Sequence, residues 1–171
     1  MNLETLIETS SSGVARFLKH AKEFGYDPLV VENNSQTRDA WTMAYGVGEE
    51  TYFLVYGVDA GEKKYPAKSV VRKVSGLKGS FDRKQLLEQG LANLASEMTS
   101  GEITPFLSQD FDKHRLHITI DQASIEQNEL VKFPAGIDDK YFAITLNAVF
   151  QTLQSLYGKE RVTVEYLFQR G

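Results

Sequence analysis

The chain of 171 residues contains no cysteine. It can therefore form no disulfide and offer no thiolate nucleophile or thiolate metal ligand, which excludes a disulfide-stapled secreted scaffold. Apolar runs are only a few residues long, far below the roughly 20 needed to cross a bilayer. The first residues, Met-Asn-Leu-Glu-Thr-Leu-Ile-Glu, lack the basic and apolar regions of a secretory leader. The expectation is a cytoplasmic protein that does not engage membranes. No linker, low-complexity tract or internal repeat divides the sequence, so residues 1–171 are read as a single domain.

Basic residues are also in deficit, with 19 Lys and Arg against 23 Asp and Glu. The deficit is uneven. Eight of the 19 (Lys63, Lys64, Lys68, Arg72, Lys73, Lys78, Arg83 and Lys84) fall between positions 63 and 84, beside a single acid, Asp82. The rest of the chain keeps eleven basic residues against 22 acids. A basic strip on an acidic protein points to an anionic partner.

Periodicity predicts the elements. Leu3, Leu6, Ile7, Val14, Phe17, Leu18, Ala21 and Phe24 recur at helical spacing, and Ser10 to Gly13 mark a break within that run. Asn2 is the expected cap at one end and Gly25 the stop at the other. Short strands are expected at Pro28–Val31, Ala40–Val47 and Thr51–Val58, the last two joined by a hairpin at Gly48. A further strand is read at Lys68–Val74, with Pro66 at its start or on an edge. In that reading, alternation puts Arg72 and Lys73 on opposite faces.

Asp82 and Gln85 form a capping-box-like pair, and Phe81 staples onto Leu86. They open a helix whose buried stripe is expected to be Leu87, Leu91, Leu94 and Met98. His114–Asp121 alternates, placing Leu116, Ile118 and Ile120 inward and Arg115, His117, Thr119 and Asp121 outward. Leu130–Phe133 reads as a partner strand, 139–157 as an amphipathic helix and 161–168 as a final strand. The predicted order is α-β-β-β-α-β-(β)-α-β. This is an α+β two-layer sandwich, with a mainly antiparallel sheet and helices packed on one face.

Within the basic strip the most coherent group is Gly76, Lys78, Gly79, Ser80, Arg83 and Lys84. Glycines let backbone N–H groups turn toward a ligand, and a helix N-terminus favours anions. Arg83 and Lys84 in a first turn oppose the helix dipole by about 0.3–1 kcal/mol each, which a bound anion offsets. The predicted binding residues are Lys63, Lys64, Lys68, Arg72, Lys78, Ser80, Arg83 and Lys84. The order Gly76-Leu77-Lys78-Gly79-Ser80 departs from a Walker A loop.

Catalytic patterns are sparse. Asp59 and Glu62-Lys63-Lys64 supply an acid and a Glu-x-Lys, and the element order is similar to the core of the restriction-endonuclease-like nucleases, which position Mg²⁺ with such groups. That resemblance implies a nuclease, but it covers about 120 residues at the level of topology, and Asp59 lies three residues before Glu62 instead of on the preceding strand. His117-Ile118-Thr119 resembles one half of the paired motif of two-histidine phosphoesterases, and no second copy exists. His114 and His117 are three apart on a strand and face opposite ways. Trp41, Tyr45, Tyr52, Phe53 and Tyr56 could stack bases or anchor a protein interface, and otherwise read as core. Ser10, Ser11, Ser12 and Ser80 lie outside any nucleophile elbow.

The reading that follows is a non-catalytic interaction protein without cofactor or metal. Its partner is an acidic protein surface or, alternatively, nucleic acid. An edge strand near Pro66 or at the C-terminus offers a route to a homo-oligomer.

Overall fold

The computed structural model describes residues 1–48, 51–58, 65–96, 103–107, 115–137 and 139–167. Its class is α+β. The first helical run breaks where the serines predict. Helix α1 (Leu3–Thr9) is capped by Asn2, whose Oδ1 accepts from Thr5 N at 2.8 Å. Helix α2 (Ser12–Glu23) follows after Ser10–Ser11, and Gly25 turns the chain at φ +88°. Strands β1 (Leu29–Val31), β2 (Arg38–Val47) and β3 (Thr51–Val58) come next.

Helices α3 (Ala67–Ser75) and α4 (Arg83–Ser96) lead to β4 (Arg115–Asp121), α5 (Gln122–Gln127), β5 (Leu130–Pro134), β6 (Tyr141–Thr145), α6 (Leu146–Tyr157) and β7 (Val162–Glu165). Two predicted elements change. Residues 68–74 are helical, because Val70, Val71 and Val74 sit on one side of a helix and Gly76 ends it in the left-handed region. Pro66 therefore caps a helix instead of starting an edge strand. The 139–157 run divides, since Tyr-Phe-Ala-Ile-Thr pairs as β6 between β1 and β5 before α6 begins at its Thr145 cap.

The seven strands lie in the order β1-β6-β5-β2-β3-β4-β7, with most of the pairing antiparallel. The sheet has a narrow waist. β2 and β3 share eight register pairs, but β2 joins β5 through only Arg38↔Val131 and Asp39↔Lys132. Charge reinforces those two rungs. Arg38 lies 3.8 Å from Glu129, and the buried Lys132 lies 3.3 Å from Asp39. Lys132 also donates to the Asn33 carbonyl at 2.6 Å, so its ammonium is well partnered.

Beyond the waist, α4 packs directly on the β2 backbone. A Cβ on Gly90 would stand 2.2 Å from Tyr45 Cα, so this approach requires glycine. Gln89 Nε2 donates to the Gly48 carbonyl at 3.2 Å.

Alternation along β2 and β3 feeds two cores. Ala44, Leu54 and Tyr56 join Phe17 and Leu18 of α2 and Val149 and Leu153 of α6 in the first. Met43, Tyr45 and Val55 point the other way, toward Val70 and Val71 of α3, Tyr65 and Leu167. Helices α1, α2 and α6 thus cover one face, as expected. The opposite face is not left open, because α3 and the residues after β7 cover it. Leu94 of α4 enters the first core and Leu86 and Leu87 border the second, while Leu91, expected in the buried stripe, is 41% exposed.

Candidate anion-binding surface

The helical state of 67–75 rearranges the basic strip. Lys68 and Arg72 are four residues apart and share a side, and Lys73 lies next to them. All three are exposed, while Val70 and Val71 are fully buried beneath. The expectation that Arg72 and Lys73 point apart fails, since neighbours on a helix differ by about 100° instead of 180°.

Arg72 then folds the next loop back. Its Nη2 donates to the Gly79 carbonyl at 3.0 Å, and its guanidinium lies 5.4 Å from the Phe81 ring centre. Gly76 and Gly79 take φ +69° and +80°, as that turn demands. Lys78, Ser80, Arg83 and Lys84 are all exposed around it. The Arg72 contacts thus tie α3, which also carries Lys68 and Lys73, to the loop bearing Lys78 and Ser80, and Arg83 and Lys84 follow at the start of α4. Lys63 and Lys64 lie outside the described residues.

The N-terminus of α4 is partly spoken for. Asp82 Oδ1 accepts from Gln85 N at 3.1 Å, as the capping pattern predicts. Lys84 approaches Glu88 at 3.9 Å, an exposed pair that contributes little. Lys73 Nζ donates to the Tyr166 carbonyl. Lys68, Lys78 and Arg83 form no ion pair among the described residues. The surface presents cations, with little room at the helix end itself.

Other predicted sites resolve differently. Asp59, Glu62-Lys63-Lys64 and His114 fall outside the described residues. The strand that the nuclease-like order requires after β3 is α3. Among the described residues, no group of three or more His, Asp or Glu could hold a metal ion.

The aromatic meander is largely core. Tyr45, Tyr52 and Tyr56 are buried, and Trp41 packs on Tyr65 with centres 4.2 Å apart. Tyr45, Phe53 and His117 stack on one another across three strands, at 5.0 and 5.1 Å. Phe53 is stacked on both faces and Tyr45 is fully buried, so neither offers a platform to a base. Burial, with Arg161 nearby, lowers the His117 pKa below its ordinary 6.5. Burial raises that of Tyr45 to about 12.

The outward patch predicted for β4 is also corrected. Thr119 and Asp121 are buried, and Thr119 Oγ1 meets Thr163 Oγ1 at 3.3 Å. Asp121 is 2% exposed and is the centre of a polar knot. Its Oδ2 accepts from Ser124 Oγ at 2.7 Å, Tyr65 OH at 3.1 Å and Ser124 N at 3.3 Å, while Oδ1 accepts from Leu167 N at 3.2 Å. Gly57 makes room for this. A Cβ there would lie 2.6 Å from the Tyr65 hydroxyl. Sequence reasoning missed the knot, although Asp121 followed three residues later by Ser124 is N-cap spacing.

It also missed a contact between α2 and α6. His20 Nε2 lies 3.0 Å from Ser155 Oγ, and His20 Nδ1 lies 3.6 Å from Glu23. A shallow cleft lined by Phe24, Tyr26, Gln151, Gln154, Ser155 and Lys159 adjoins it. The order serine, histidine, acid is suggestive, but Glu23 is 74% exposed and the two helices end here. Helix ends present carbonyls instead of the N–H donors that an acyl-transfer oxyanion needs.

Compared with protein-family models and with curated proteins, the chain matches none.

Proposed function

We propose that this protein is a non-catalytic interaction protein that docks on an acidic surface of a partner protein through the α3–α4 basic face. The observation that carries the reading is the Arg72 contact with Gly79 and Phe81. It ties the cationic side of α3 to the loop bearing Lys78 and Ser80 and to the start of α4. Cations from α3, the loop after it and the start of α4 would then act as one preorganised surface. The remainder of the chain is acidic, so such a surface would orient an approaching acidic partner and speed its capture. An acidic protein suits the site better than a nucleic acid, because the aromatic rings of the β2–β3 meander are spent on packing, with Tyr45 buried and Phe53 stacked on both faces. The reading takes the cytoplasm as the compartment. No helix among the described residues is long and apolar enough to cross a membrane.

The test is charge reversal at Lys78, Arg83 and Lys84 together, with an oligo-glutamate peptide as probe. Binding should weaken at least tenfold and fall with salt, while stability moves by only about 0.5 kcal/mol because all three side chains are exposed. Retained binding rejects the site. Tight, steeply salt-dependent binding of single-stranded DNA or RNA with none of oligo-glutamate would transfer the reading to nucleic acid.

A further inference from the structure

Helix α3 carries three of the cations, yet its hold on the body is slight. Its fully buried side chains are Val70 and Val71, with Ala67 and Val74 partly buried beside them. What fastens it comes from elsewhere in the chain. Tyr65, just ahead of it, reaches Asp121 through its hydroxyl at 3.1 Å. The segment after β7 does the rest. Leu167 is 1% exposed and completes the second core with Val70, Val71, Met43 and Val55. Its backbone N–H donates to Asp121 Oδ1 at 3.2 Å. One residue earlier, the Tyr166 carbonyl accepts from Lys73 of α3, and the Tyr166 hydroxyl donates to Glu126 of α5. One buried carboxylate thus holds both the lead-in to α3 and the strap that lies against it.

The geometry points to a latch: Tyr166–Leu167 docks the basic helix, and α3 opens as a local unit when the strap lifts, while the first core stays closed. Opening of this kind is expected of elements with few buried apolar contacts. Two consequences follow for the cationic surface, which rests on the docking reading above. With the strap down, Lys73 is engaged by the chain's own carbonyl and the surface keeps its shape. With the strap up, the fraction of molecules presenting that shape falls, and apparent affinity for an acidic partner falls in proportion. Asp121 is a positioning residue here, since it acts through Tyr65 and Leu167.

Native-state hydrogen exchange on the full chain tests the latch without any ligand. In Leu167→Ala, amides of α3 from Val70 to Ser75 should exchange about tenfold faster, while those of α6 from Val149 to Tyr157 stay within about twofold. Should that variant fail to fold, Lys73→Met removes the strap's surface contact and leaves both cores intact, and α3 should still exchange about threefold faster than in the parent. Equal acceleration in α3 and α6, or none in α3, overturns the latch. The docking reading fails separately: an unaltered chain that ignores oligo-glutamate removes that reading, whatever the exchange of α3 shows.

Discussion

The two faces of the sheet are built to different strengths. Among the described residues, the first core gathers 27 buried apolar residues and the second gathers seven. The first is a continuous aromatic and aliphatic interior. Phe17 and Phe106 lie 4.2 Å apart, Phe106 meets Phe133 edge-on at 5.2 Å, and Phe133 packs with Phe142 at 5.9 Å. Within it Tyr157 OH donates to the Pro105 carbonyl and accepts from Leu107 N, both at 3.0 Å, whereas Tyr56 OH and Thr152 Oγ1 are buried without a hydrogen-bond partner among the described residues. The second core relies on three valines, two tyrosines, one methionine and one leucine, together with the polar knot at Asp121. The difference teaches that the stable face and the cationic face are separate. The basic surface rides on the lightly fastened layer, where loss of a contact is felt locally.

Mutations can break this contrast. Phe142→Ala, in the middle of β6, should cost about 3–5 kcal/mol and lower the whole unfolding transition, as read by urea denaturation. A loss confined to one region would show that the first core is not the common foundation. Gly90→Ala should cost about 1–3 kcal/mol or more, because the added methyl meets the β2 backbone and α4 touches both cores. Exchange should rise on both faces in that variant. A near-neutral result would mean that α4 can shift away from Tyr45.

The smallest effect is a pH dependence. His117 has a folded pKa below 6.5, so the unfolded chain binds its proton first as pH falls. Stability from this group is complete above about pH 6.5 and is lost as pH drops toward the lowered folded value. His117→Phe should flatten the stability profile over that window. An unchanged slope would assign the dependence to other groups.

Much of the first face was legible in the sequence. The cap at Asn2, the break at the serines, the β2–β3 hairpin and the Asp82 cap are all local signals, and local chemistry decides them. The second face was not. Lys68 to Val74 is rich enough in valine for a strand, though it makes no clean alternating stripe, and Val70, Val71 and Val74 also suit a helix. Only burial against Tyr65 and Leu167, from distant positions, chooses between the two. Asp121 ends a clean alternation and so reads as outward. What buries it is a strap 46 residues later in the chain, which no local pattern reveals. The basic residues were found by counting, while their common face depended on the helix.

The waist of the sheet has a mechanical consequence. A load pulling β5 and β2 apart is shared by two rungs, whereas one pulling β2 from β3 is shared by eight. A molecule stretched between Leu130 and Val58 should therefore yield first at the Arg38–Asp39 rungs and divide into two ribbons. The Lys132–Asp39 pair then acts as a rivet, and its strength sets the force at which the first extension step appears.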